Sequence, residues 1–228
     1  MKRITTLGIT LVSVLFFTAC KKESSVNVDQ NRIYSTYNVE YDQNSNRTTV
    51  KATYRVDHNS GQKIELTYPS RVDFDGEQMA YRKMGGYYDL SRNGNALNRE
   101  IIYHDIDGKV FSNSGSVISS IDVPVGLNGI SRSGNFFLPW VGAPLASGET
   151  ITVTISGGSQ TSSKTFTANS VGQNYIILDQ FKLNDLIAGT AKIQIKREIT
   201  GSLIQSNLSG GRISSTYNGR KITINILD

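Results

Sequence analysis

The chain has 228 residues, a net charge of +5 and a single cysteine. That length allows one large or two small domains, and one cysteine excludes an intramolecular disulfide, so packed secondary structure must supply stability. The basic excess is scattered and forms no stripe interleaved with aromatics, which argues against a nucleic-acid partner.

Lys2 and Arg3 precede a mostly apolar run from Ile4 to Phe17. The run is too short to cross a bilayer, which takes roughly 20 apolar residues. A cationic start, a short apolar stretch and small residues before a boundary read as a secretory signal. Phe17-Thr18-Ala19-Cys20 forms that boundary. This tetrapeptide resembles the lipobox of bacterial lipoproteins, in which the cysteine thiol takes a diacylglycerol and the chain is cut just before it. The family prefers Leu where Phe17 stands, so the match departs at its first position. The resemblance implies a signal peptide over residues 1–19, lipidation of Cys20, and a membrane partner held through that lipid. Asp directly after the cysteine would mark inner-membrane retention; Lys21 stands there instead, so the same resemblance implies the outer membrane. An ordinary cleaved signal and an uncleaved anchor are the plainer alternatives. Residues 20–31 are polar and aperiodic, and read as the lipidated cysteine and a flexible tether.

From Arg32 the period is two. Ile33, Ser35, Tyr37, Val39 and Tyr41 share one face, and Val50, Ala52, Tyr54 and Val56 alternate with polar residues. Turn-rich breaks at 42–46 and 59–61 separate these runs from Ile64, Leu66 and Tyr68. Val72 and Phe74 lead into Asp75-Gly76, and Met79 and Tyr81 follow. Tyr87 to Leu90 is a short strand. Ile101 to His104 and Val110-Phe111 flank a hairpin turn, and Val117 to Val123 closes the half. Short strands at this spacing suit an immunoglobulin-like sandwich.

Pro124 begins a second stretch. Phe136-Phe137-Leu138-Pro139-Trp140 reads as an aromatic patch on an irregular segment, since proline disfavours a central strand. Ile151, Val153 and Ile155 form a clean alternating strand, with a turn at 157–159 before Lys164 to Phe166. Tyr175 to Leu178 is another strand. Leu183, Leu186 and Ile187 have helical spacing stopped by Gly189. Ile193 and Ile195 resume the alternation, and Asn218-Gly219 between two alternating runs predicts a closing hairpin. Residues 32–38 nearly repeat at 212–218, at positions that are not equivalent in the two halves. The expected architecture is all-β, with two immunoglobulin-like β-sandwich domains over residues 32–123 and 124–228. The boundary near 123–126 leaves one continuous sandwich open. The pattern is similar to tandem immunoglobulin-like modules of bacterial cell-surface lipoproteins.

No catalytic spacing stands out: there is no Gly-x-Ser-x-Gly, His-Glu-x-x-His or phosphate loop. His58 and His104 lack metal-ligand spacing and read as ordinary polar residues. Asp73-x-Asp75-Gly and Asp105-x-Asp107-Gly share one form, and Asp42-x-Asn44-x-Asn46 and Asp57-x-Asn59-x-Gly61 look like fragments of a calcium loop, but none supplies a full ligand set and Asp-Gly is favoured in turns for backbone reasons alone. Asp73, Asp75, Asp105 and Asp107 are therefore the candidates for calcium, and no other cofactor is indicated. Tyr87, Tyr88, Phe136, Phe137 and Trp140 are either core or a platform for a ligand, with Trp140 the best single candidate. The function expected is non-catalytic binding or adhesion to protein or glycan at the cell envelope. An envelope hydrolase with a spatially assembled carboxylate or Ser/His site, or a structural spacer, are the alternatives.

Overall fold

The computed structural model describes residues 23–157 and 163–228. The leader 1–19, Cys20, Lys21 and Lys22 lie outside the described residues, as does most of the turn expected at 157–159. The first half carries β1 (Glu23–Ser24), β2 (Ile33–Asp42), β3 (Arg47–Val56), β4 (Lys63–Glu65), β5 (Arg71–Phe74), β6 (Glu77–Gln78), β7 (Ala80–Arg82), β8 (Tyr87–Asn93), β9 (Glu100–His104), β10 (Val110–Ser114) and β11 (Ile121–Asp122). The second carries β12 (Gly129–Ser131), β13 (Phe136–Pro139), β14 (Val141–Gly142), β15 (Glu149–Gly157), β16 (Ser163–Ala168), β17 (Tyr175–Leu178), α1 (Gln180–Asn184), β18 (Gly189–Ser202), β19 (Gly211–Asn218) and β20 (Ile222–Leu227). Among the described residues the fold is all-β apart from α1 and short 3-10 turns.

Alternation produces the faces the sequence predicts. In β2 and β3, Tyr37, Val39, Val50, Ala52 and Tyr54 are buried, while Asn38, Glu40 and Lys51 face solvent. A second sheet, in the order β10-β9-β5-β6, covers this part of the main sheet. Tyr54 of β3 meets Tyr103 of β9 there, with ring centroids 4.7 Å apart. The Asp75-Gly76 turn between β5 and β6 has φ of +50° and +79°, the left-handed pair that a tight hairpin requires.

The main sheet runs β1-β4-β3-β2-β19-β18-β15-β16, so strands from both halves share one ladder. β2 pairs with β19 in parallel, Ser35 opposite Gly211 through Asp42 opposite Asn218. Hydrogen bonds thus cross the expected boundary at 123/124, and one hydrophobic cluster draws on both sides of it. The two near-repeated segments are these neighbouring strands. Ser214 donates to Asn38 at 2.8 Å, Asn218 donates to Glu40 at 2.6 Å, and the Tyr41 and Tyr217 rings lie 5.0 Å apart.

Four expectations change. Residues 23–31 are not a loose tether. β1 pairs in parallel with β4, Ser25 Oγ accepts from Thr67 N at 2.8 Å, and buried Gln30 donates to the carbonyls of Ser25 and Val28. These polar residues are ordered because their hydrogen bonds are made inside the fold. Asn218-Gly219 is not a hairpin turn. β19 and β20 follow one another along the same side of β18 (Lys196 opposite Asn218, Ile193 opposite Ile222), with a short irregularity between them. Gly219 is needed for space: a Cβ there would lie 2.5 Å from the carbonyl oxygen of Ile121. Residues 117–123 yield only the two-residue β11. Phe136–Pro139 is a strand rather than an irregular segment, tolerated with Pro139 at its last position in a two-stranded ribbon.

Candidate binding face

β13 and β17 form an antiparallel ribbon, with Phe136 opposite Leu178, Phe137 opposite Ile177, Leu138 opposite Ile176 and Pro139 opposite Tyr175. The inward set, Leu138, Ile176 and Leu178, is buried in the core. The period of two then sends Phe137, Ile177 and Tyr175 outward, where they are 59%, 43% and 40% exposed. Phe137 and Tyr175 sit diagonally, with ring centroids 5.8 Å apart and planes tilted by 51°. A ribbon packed on one side ordinarily turns polar residues outward. This one is apolar on both faces, and core packing does not demand the outer one.

The ends of the ribbon are fastened. Trp140 N donates to Asn174 O at 3.4 Å, and Gln180 N donates to Asn135 Oδ1 at 2.9 Å. Asp179 caps α1 by accepting from Phe181 N at 2.8 Å, which leaves the Phe181 ring exposed just beyond β17. Lys182 on the same turn lies over the Phe166 ring, 5.5 Å from its centroid.

The five aromatic candidates separate. Only Phe137 is on the outer face. Phe136 is half-buried against the core. Trp140 is buried, its Nε1 donating to Ala143 O at 3.0 Å, so it holds a loop instead of offering a ring to a ligand. Tyr88 is buried on β8, its hydroxyl accepting from Leu66 N at 2.7 Å. Tyr87, beside it, is half-buried with Lys51 Nζ 5.4 Å from its ring centroid. Pro139 does not keep Trp140 out of the core, because it sits at the end of a short strand and Trp140 is buried just after it. Tyr175 and Ile177 were missed. The apolar run Tyr175-Ile176-Ile177-Leu178, which lacks alternation, was the signal for a strand with two apolar faces.

The four aspartates do not assemble into one ligand set. Asp73 accepts from Arg71 Nε at 3.1 Å and lies 3.2 Å from His104 Nε2. Asp75 holds its left-handed turn position with Arg99 3.8 Å away. Asp105 is buried, and its Oδ1 accepts from the backbone N–H of Asp107 and Lys109 at 3.0 and 2.8 Å, which builds the β9–β10 turn. Asp107 is exposed. Among the described residues no group of three or more His, Cys, Asp or Glu is disposed to hold a metal ion. His58 accepts from Ser60 N at 3.2 Å through Nδ1, within its turn. No helix among the described residues is long and apolar enough to cross a membrane.

The structure therefore defines an all-β protein with an exposed apolar ribbon. No protein-family model matches the chain, and no curated protein does. Among solved structures, the chain is similar to part of a 1.5-MDa bacterial ice-binding adhesin, at 13% identity and a TM-score of 0.23, covering 86% of this chain and 65% of that one. It is also similar to a tetra-tandem repeat in the extending region of a large adhesion protein, at 12% identity and a TM-score of 0.27, covering 83% of this chain and 49% of that one. The chain thus spans less than two thirds of either structure, and at these scores the likenesses carry nothing about function.

Proposed function

We propose that the chain is a lipid-anchored cell-envelope protein, held in the outer membrane through an acylated Cys20, which binds a protein partner through the outer face of β13 and β17 without catalysing a reaction. The binding half rests on the exposure of Phe137, Tyr175 and Ile177 from a ribbon whose inner face already satisfies the core. Aromatic and aliphatic anchors of this kind dominate protein interfaces. A sugar would need convergent hydrogen-bonding groups for its hydroxyls, whereas the three outward side chains offer a single phenol. The anchoring half rests on the one cysteine standing where a leader ends.

Envelope proteins retained by the immobilised chain can be identified and titrated against wild type and a Phe137→Ser/Ile177→Ser double variant. The double variant is expected to bind at least about ten-fold more weakly, since two central apolar anchors together exceed ~1.4 kcal/mol. Its thermal unfolding should be unchanged, because both side chains face solvent. Equal affinity for the two forms removes the ribbon from the function. For the anchor, the intact mass of envelope-purified protein is expected to include acyl chains that Cys20→Ser lacks. A wild type without added acyl mass rejects the anchor.

A further inference from the structure

We infer that the end of the main sheet at which the chain enters is a membrane-contact surface, with Met84, Ile204 and Leu208 seated at the lipid interface. This inference rests on the anchoring of Cys20. The register brings the relevant elements to one end. Glu23 of β1 is level with Ile64, which is level with Tyr54 near the end of β3, and Val56 is level with Ile33 at the start of β2. Gly211 at the start of β19 is level with Ser35, and Ser202 at the end of β18 is level with Arg212. The turn joining β7 to β8 reaches the same end, where Lys63 Nζ donates to Gly85 O.

Three side chains stand out from this end. Met84 at the β7–β8 turn is 104% exposed, and Ile204 and Leu208 in the β18–β19 loop are 86% and 88% exposed. Scattered exposed apolar residues need no explanation; three on the tips beside one chain entry point do. The β18–β19 loop is also built to present them. Asn113 Oδ1 accepts from Ile204 N at 2.9 Å and Gln205 N at 3.1 Å, Asn113 Nδ2 donates to Gln205 O at 2.8 Å, and Ser209 N donates to Asn31 O at 3.0 Å. Its backbone is fixed before any contact, so seating its side chains in lipid costs little ordering entropy.

The leash is short. Three residue steps from Cys20 to Glu23 span at most about 11 Å, and because residues 23–31 are packed the fold cannot drift further away. Three interfacial side chains would not hold a protein to a bilayer unaided, but a tether makes the contact intramolecular, where weak interactions suffice to set orientation. Lys63, Lys83 and Arg212 are at this end, and in the sequence Lys21 and Lys22 directly follow Cys20, which suits an anionic surface. Asp57 is paired with Arg32 at 2.7 Å, which leaves Glu23, Asp29 and Glu65 as the opposing charges.

The single native tryptophan, Trp140, is buried, which suits a depth measurement. Met84→Trp, Ile204→Trp and, as a control, Ile187→Trp beside the opposite end of β18 would each be purified in acylated form. Each would be reconstituted into phosphatidylethanolamine and phosphatidylglycerol vesicles with brominated acyl chains. The indoles at 84 and 204 are expected to be quenched at least about two-fold more than the one at 187. Equal quenching at all three positions, on protein whose mass shows acylated Cys20, overturns the membrane contact and leaves the anchor standing. Protein without acyl mass overturns both. Because all three replaced side chains are exposed, the variants should fold as the parent does.

Discussion

Arg197→Ala is expected to lower the unfolding free energy by about 3–5 kcal/mol, among the largest losses any single substitution in this chain should produce. Arg197 projects from β18, its side chain 1% exposed. Its guanidinium lies 3.4 Å from Glu149 Oε2 and donates to Ala143 O, the same carbonyl that accepts from Trp140 Nε1. Glu149 in turn accepts from Ala146 N at 2.8 Å. This one side chain therefore fastens the segment from Trp140 to Glu149 onto the central strand. Burial lowers the guanidinium pKa and Glu149 partly opposes that, which leaves it cationic at any ordinary pH. Truncation would leave a buried carboxylate with no counter-charge. The combined Arg197→Met/Glu149→Gln variant should recover most of the loss, since no charge remains and the Gln amide oxygen can still accept from Ala146. Urea unfolding of the three proteins checks this. A single-variant cost below about 1 kcal/mol, or a double variant as weak as the single, contradicts it.

The second large effect is alkaline unfolding. Tyr37, Tyr54, Tyr88 and Tyr103 meet around Tyr54, with centroid separations of 6.4, 5.9 and 4.7 Å from its ring. Burial is the main cause that pushes all four phenols up: Tyr37 to about 12, and Tyr54, Tyr88 and Tyr103 well above the ordinary value of 10.0. A raised folded pKa means the unfolded chain loses its protons first. Stability is therefore complete below pH ~10 and falls as pH climbs from there. Tyr37 alone removes about 2.3 kcal/mol by pH ~12, and with three more phenols the sum rivals the whole stability of a typical domain. Phenolate absorbance should rise in a cooperative step between pH ~10 and ~12, together with loss of near-ultraviolet dichroism. Gradual titration of all the tyrosines near pH ~10 in a still-folded protein would contradict this reading.

Much of the first half was legible because its strands alternate cleanly: residues 33–56 declare their buried face one residue at a time. Strand neighbours were less legible, because pairing is decided by residues far away in the chain. Asn218-Gly219 carries the composition of a turn, yet its glycine makes room for the Ile121 carbonyl. The polarity of residues 23–31 suggested disorder, and only the fold reveals that Ser25 and Gln30 spend their hydrogen bonds on buried partners. The exposed apolar ribbon was half legible. The sequence marked Phe137 among its neighbours, but nothing local distinguishes it from Phe136, and Tyr175 and Ile177 join it only through a register set 38 residues away or more along the chain.

The placement of β2 decides how the molecule meets mechanical force. It heads away from the point where the chain enters, with β3 along one side over ten residue pairs and β19 along the other over eight. The two-pair contact of β1 with β4 and the hydrogen bonds of Ser25 and Asn31 to Thr67 and Ser209 stand in front. Traction on the N-terminus is thus directed along the strand axis, and both ladders are sheared with their bonds loaded together instead of being unzipped in turn. A chain pulled from its N-terminal side while the rest of the sheet is held takes the strain on a strand bonded along both sides.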